Sequence, residues 1–321
     1  MNTRTSLMIS ILLSALVLVP VANAKKRGGE GGGEADAHRR KGIELIDAKK
    51  YAEAIEEFNK AIEAAPDDPG AYRDRGNAYR AAGRVAAAAG DGPASAARFS
   101  SAVADFSKQI ELAPKDPIGY MERGQTELAQ IQFDAVIADV NKAIELKGDE
   151  GLCYKFRGFA YIGLKQWDKA VADFTLAIQK NPNDIQNYDQ RALAYRNLKN
   201  FDAAIADYAA AIEKNPNYEP EYARRGYTYA LAQQYEKAIE DYQQALKMDP
   251  NDQETQERLK YAQGQIAARN APPPTPTPTP GTSFFTPAKI FFAVVVLVIV
   301  AVVVRLMTRG KPEETSSMRI R

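Results

Sequence analysis

Between Glu219 and Pro250 the apolar and small residues fall on two helical spacings in succession. Tyr222, Gly226 and Tyr229 lie four and three apart, which puts them on one face of a first helix. Tyr235, Ala238, Tyr242 and Ala245, three and four apart, do the same for a second. Pro250 stops that helix, and Asn251-Asp252 can cap the next one. The pattern predicts a helix–turn–helix whose apolar face must be covered by neighbours.

The same frame fits six times, with units starting near 35, 69, 117, 151, 185 and 219. The small residue of the first helix is Gly42, Gly76, Gly124, Gly158, Ala192 and Gly226. That of the second is Ala54, Ala102, Val136, Ala170, Ala204 and Ala238. The bulky residue of the second helix is Phe58, Phe106, Val140, Phe174, Tyr208 and Tyr242. Pro66, Pro114, Pro182, Pro216 and Pro250 close five units, and Gly148 stands in the third. A repeat of this length means stacked small units rather than one globular core. A last amphipathic stretch, 253–268, would cover the open end of the stack. The second unit carries an insertion at 84–100, rich in Ala, Gly and Ser. Either it lengthens both helices into a projecting hairpin with Gly90-Asp91-Gly92-Pro93 as its turn, or it is a disordered loop.

The two ends read differently. Residues 1–24 have Arg4, an apolar run from Leu7 to Val19, Pro20 and then Ala22-Asn23-Ala24. That is the layout of a secretory signal peptide with its cleavage site, the alternative being an uncleaved N-terminal anchor, although Lys25, Lys26 and Arg27 after the cut resist translocation. Residues 25–34, Gly-rich and charged, are expected to be disordered. Residues 269–287 hold a Pro/Thr-rich linker that no helix survives. Residues 288–306 would span about 28 Å as a helix, close to a hydrocarbon core, and read as a transmembrane helix. The tail at 307–321 adds Arg309, Lys311, Arg319 and Arg321 to Arg305, which predicts a cytoplasmic tail and extracytoplasmic repeats.

Charge and chemistry exclude more than they suggest. Acidic and basic side chains number 41 and 42, so no chain-wide field favours nucleic acid. One cysteine, Cys153, and one histidine, His38, leave no Cys-rich or paired-His metal site, and no metal or other cofactor is expected. Cys153 is expected to be a small packed residue and His38 to be exposed. No phosphate loop or nucleophile motif is present, so no enzyme or small-molecule substrate is expected. A basic residue (Lys41, Arg75, Arg123, Arg157, Arg191, Arg225) and an acidic one (Glu57, Asp105, Asp139, Asp173, Asp207, Asp241) recur in every unit. Ion pairs repeated in every unit belong to architecture rather than to a ligand site.

Across 35–268 these positions resemble the tetratricopeptide-repeat family. The chain departs from the family in having Tyr72, Tyr120, Tyr154, Tyr188 and Tyr222 where Trp is frequent, and in a third unit with Glu127, Val136, Val140 and Gly148. The resemblance implies an all-α, right-handed superhelix of six repeats plus a capping helix, whose first helices line a concave groove. The groove residues it implies are Arg73 and Asn77, then Met121, Gln125 and Leu128, then Lys155, Phe159 and Ile162, then Leu193, Arg196 and Tyr227. Some family members clamp a carboxylate with basic and Asn residues. Arg73 and Asn77 match its first part, but Glu122, Leu152 and Phe156 break the rest.

The function expected is a membrane-anchored, non-catalytic scaffold binding a peptide or helix of a partner protein. An apolar centre with an acidic end would suit the groove. The alternatives are a self-assembling envelope component, with the chain as a homo-oligomer, or an accessory subunit of an envelope export or assembly machine.

Overall fold

The computed structural model describes residues 32–271 and 287–308, and every regular element there is an α-helix. The expected signal peptide, linker and tail lie wholly or mostly outside those residues. By contacts the chain divides after Ile266.

Up to that point the helices come in antiparallel-neighbour pairs: α1 (Gly32–Asp47) with α2 (Tyr51–Ala64), α3 (Pro69–Ala88) with α4 (Gly92–Leu112), and α5 (Pro117–Ala129) with α6 (Phe133–Glu145). Next come α7 (Glu150–Gly163) with α8 (Trp167–Lys180), α9 (Ile185–Asn197) with α10 (Phe201–Lys214), and α11 (Glu219–Leu231) with α12 (Tyr235–Met248). Each second helix also packs on the first helix of the next unit. Helix α13 (Gln253–Asn270) closes the array, placing Ala262 against Ala238 and Tyr242. Helix α1 begins at Gly32, so the last residues of the stretch expected to be disordered are helical. The insertion in the second unit is a helical extension: α3 has 20 residues and α4 has 21, where the other paired helices have 13 to 16.

The pairing inside each unit rests on one contact. The ring of the second helix lies where the first helix has little or no side chain. A Cβ added at Gly42 would stand 2.6 Å from the Phe58 ring, at Gly76 2.8 Å from Phe106, at Gly158 2.9 Å from Phe174 and at Gly226 3.0 Å from Tyr242. Phe58, Phe106, Phe174 and Tyr208 are fully buried. In the degenerate third unit Val140 replaces the ring, and a Cβ on Gly124 would find ordinary contact at 3.5 Å. The small residues of the second helices, from Ala54 to Ala238, are buried as well.

The tyrosines at the start of the first helices are not core rings. Tyr72, Tyr120, Tyr154, Tyr188 and Tyr222 are half-buried at the edge. The Tyr188 and Tyr222 hydroxyls donate to the carbonyls of Pro182 and Pro216 at 3.2 Å. Each ring lies under the guanidinium three residues on, as Tyr154 does under Arg157 at 5.6 Å. Helical spacing put them on the same face as Gly226, but they sit before the point where the helices touch.

The cap expected at Asp252 forms, its Oδ1 accepting from the Glu254 N–H at 3.1 Å. Asp68, Asp116, Asp149 and Asp184 accept from backbone N–H groups in the first turns of α3, α5, α7 and α9. Pro69 and Pro117 occupy the first helical position, where no N–H is needed. The turn inside each unit needs one residue in the left-handed region. Only the second unit supplies glycine, Gly90 at φ 78°; the others use Lys49, Ile131, Lys165, Lys199 and Gln233. Ile131, at φ 63°, is β-branched and 44% exposed, so it combines strain with little burial.

Helix α14 (Pro287–Thr308) is the one described helix long and apolar enough to cross a membrane. Its described side chains are exposed.

Two substitutions probe this packing. Phe106→Ala is expected to cost about 3–5 kcal/mol in chemical denaturation, the usual penalty for emptying an aromatic site; an unchanged midpoint would refute the packing described. Ile131→Gly is expected to gain about 1 kcal/mol by relieving the left-handed turn, and a loss of stability would show that the turn is unstrained.

Candidate functional site

The recurring charges come first because they determine what remains free. Within units two to six the basic residue of the first helix grips the acidic residue of the second through both carboxylate oxygens. The distances are 2.9 and 2.6 Å for Arg75–Asp105, 2.7 Å twice for Arg123–Asp139 and 2.7 and 2.8 Å for Arg157–Asp173. Arg191–Asp207 and Arg225–Asp241 repeat the geometry. In four of them the third guanidinium nitrogen reaches back to the preceding unit, to Asn59, Ser107, Asn141 or Thr175. Ala209 occupies that place before Arg225 and offers no acceptor. These forks are architecture, as their repetition implied.

The first unit differs, and corrects the expectation for His38. Lys41 replaces arginine and contacts only one oxygen of Glu57, at 3.0 Å. His38 takes the other, with Nδ1 2.6 Å from Oε2. The histidine is thus half-buried and engaged rather than free. Hydrogen bonds from His38, Lys60 and Lys41, in that order, pull the Glu57 carboxyl down to about 2.

A second ladder runs between units on the first helices. Arg39 bonds Asp74 at 2.7 and 3.0 Å and Asp68 at 2.9 Å. Lys155 reaches Asp184 at 2.7 Å, and Arg224 reaches Asp189 at 3.0 Å. Arg80 lies 2.5 Å from Glu122, off the line of a good hydrogen bond. Opposite charges 35 residues apart, Arg39 with Asp74 and Asp189 with Arg224, were a signal visible in the sequence that the groove reading passed over.

This ladder and the core claim much of the expected groove. Gln125, Leu128, Lys155, Phe159 and Ile162 are buried in the array and offer a partner little surface. Leu128, Phe159 and Ile162 belong to the central apolar cluster, and Phe159 meets Phe174 edge-on at 5.4 Å. Lys155 is 2% exposed and spent on Asp184. The apolar centre foreseen for the groove is thus interhelix packing. Arg73 and Asn77 remain half-exposed but contact Asp74 and Arg80 within the protein. Met121 is half-buried in the third unit. Cys153 is buried, and burial pushes its thiol up to about 12, which suits a packed residue.

Leu193, Arg196 and Tyr227 are brought together. They line a cavity of about 280 Å³ between α9, α11 and α13. Asp189, Glu219, Asp252 and Glu254 also line it, with Arg224 and Arg258 among the bases and Gln190 and Thr255 among the neutral groups. Tyr227 has the Arg258 guanidinium 4.4 Å and the Arg196 guanidinium 5.2 Å from its ring centre. Arg196 also donates to the Tyr208 hydroxyl at 3.4 Å. Arg224 is kept charged, against its burial, by Asp189 and Glu221. Burial, and next the charge of Asp189, raise the Glu221 carboxyl to about 8. No group of three or more metal-ligating side chains is assembled among the described residues.

Glu127 is a separate oddity. It stands where the second, fourth, fifth and sixth units have Tyr79, Tyr161, Tyr195 and Tyr229. Its Oε2 is buried without a donor, and burial and Asp139 raise its carboxyl to about 7. The folded state then binds the proton more tightly than the unfolded one, so stability is lost as pH rises from the usual carboxylate range to about 7. Glu127→Tyr is expected to remove part of the fall in melting temperature between acid and alkaline pH. Identical pH profiles for variant and wild type would refute the assignment.

Comparison with known proteins places this geometry. Family models for tetratricopeptide repeats match residues 42–83, 185–218 and 220–252. Tetratricopeptide repeat protein 36 of Caenorhabditis elegans is 46% identical over 41 residues, which are 13% of this chain and 23% of that protein. The chain therefore matches under a quarter of the length of that relative. Among solved structures, YrrB, described as a TPR protein with an unusual peptide-binding site, aligns with TM-score 0.50 at 22% identity, over 64% of this chain and 97% of its own. PilF of Pseudomonas aeruginosa aligns with TM-score 0.58 at 12% identity, over 74% and 100%. A chain of the Cut9–Hcn1 hetero-tetramer of APC/C aligns with TM-score 0.55 at 17% identity, over 81% and 46%. At such identities the likeness establishes the fold.

Proposed function

We propose that this tetratricopeptide-repeat protein is a non-catalytic scaffold that takes up a peptide or helix of a partner protein on the face formed by its first helices. The observation that carries the reading is the cavity between α9, α11 and α13, because it gathers Leu193, Arg196 and Tyr227 while most of the remaining expected face is occupied by internal contacts. A cavity with an apolar wall and a few convergent polar groups is the usual form of a recognition site. YrrB is a precedent for peptide uptake on this fold. Arg73, Asn77 and Met121 would extend the contact toward the second and third units. The proposed partner differs from the sequence-based one in meeting polar rather than apolar groups at the centre, since Leu128, Phe159 and Ile162 are buried.

The same reading anchors the protein to a membrane through α14, whose length and composition suit a span. The basic tail would face the cytoplasm and the repeats the other side, with residues 1–24 directing export.

The test is capture and identification of the partner with the full-length chain and with a Leu193→Glu/Tyr227→Ala variant of unchanged helicity. The variant is expected to lose the partner by at least about tenfold, the effect of removing an interface anchor. Equal capture by both proteins would move the site elsewhere.

A further inference from the structure

The cavity beside Tyr227 has a definite chemical bias. Its three guanidiniums are engaged within the protein. Arg224 is held by Asp189 at 3.0 Å and Glu221 at 3.2 Å, Arg258 by Glu254 and the Tyr227 ring, and Arg196 by that ring and the Tyr208 hydroxyl. Glu219 and Asp252, by contrast, form no ion pair among the described residues. Burial first, then the charges of Asp252 and Asp249, push the Glu219 carboxyl above its usual range against the opposing pull of Arg224.

The hydrogen-bonding ledger points the same way. Gln190 is 3% exposed and Thr255 1% exposed, and both line the cavity. The Gln190 amide is oriented by its Nε2, which donates to Asp189 at 2.8 Å. That leaves Gln190 Oε1 without a donor, as are Thr255 Oγ1 and Glu219 Oε1. Every unpartnered buried side-chain atom of the lining residues is thus an acceptor or a hydroxyl. A buried acceptor left unsatisfied costs about 1–3 kcal/mol. An ammonium brings three donors and a guanidinium five, while a carboxylate brings none and adds to the repulsion.

We infer that the cavity between α9, α11 and α13 receives a cationic side chain, the ammonium of a lysine or the guanidinium of an arginine on the partner segment. Glu219 and Asp252 supply the opposing charge. Gln190 and Thr255 supply neutral acceptors, and Leu193 packs against the aliphatic stem. The inference rests on the scaffold reading above and deepens it by naming the chemistry of the partner.

The experiment uses the purified full-length chain in mild detergent on immobilised short peptides. Three peptide sets, matched in apolar content, differ only in a central Lys/Arg, Gln/Asn or Asp/Glu pair. The basic set is expected to be retained about tenfold better than the neutral one, the factor that one hydrogen-bonded charge supplies. That preference should vanish in Glu219→Gln/Asp252→Asn and persist in Glu63→Gln/Asp67→Asn, which neutralises two exposed carboxylates in the first unit. Best retention of the acidic set, or an undiminished basic preference in the Glu219/Asp252 variant, overturns the inference while leaving peptide uptake standing. Retention of none of the sets overturns both.

Discussion

Two helices can lie close along their length only if one of them gives up its side chain where the other carries a ring. In this chain the first helix gives it up, at Gly42, Gly76, Gly158 and Gly226, and the second fills the space with Phe58, Phe106, Phe174 and Tyr242. The Arg–Asp forks lie one residue away on each side of that contact, at Arg75–Asp105 and Arg157–Asp173 for example, so their bidentate geometry depends on the helix spacing that the ring sets. The next unit then packs on the second helix, and the array propagates by repeating one local solution. The third unit shows the tolerance of the scheme. Val140 replaces the ring, Glu127 replaces a tyrosine, and the pair α5–α6 still forms within the central cluster.

Charge plays two separate parts. The forks inside units are interchangeable and hold the two helices in register. The links between units vary: Arg39–Asp74, Lys155–Asp184 and Asp189–Arg224 each solve the same problem with different residues and even opposite polarity. Where such links and the core use up the first-helix face, no binding surface is left. At the last joint they leave a cavity among whose lining residues the unpartnered buried atoms are acceptors or a hydroxyl. On the proposed function, specificity would arise where the lattice runs short of partners, which is also where the array ends at α13.

The fold was legible because its evidence is multiplied by six. The small residue, the ring, the proline and the paired charges each recur on the same frame, so a single weak signal becomes a strong one. The site was legible only in part. Helical spacing tells which residues share a face but not how close the next helix comes, so Phe159, Ile162 and Leu128 looked like groove and proved to be core. Tyr222 erred the other way, resting at the edge on Arg225 and Pro216. His38 was misjudged because its partner depends on a substitution elsewhere: Lys41 lacks the second arm that arginine uses in the other units. The cavity itself arises from three helices and two joints, and no local pattern encodes it.

The central claim is that ring and missing side chain act as one element. A double-mutant cycle on Gly158→Leu and Phe174→Ala, read by chemical denaturation, tests it most directly. Each single change should destabilise the protein. Together they should cost less than their sum by more than about 1 kcal/mol, because the leucine occupies the space that the ring has vacated. Strict additivity would mean that the two positions do not share a contact, and the account of how these helices pair would fail.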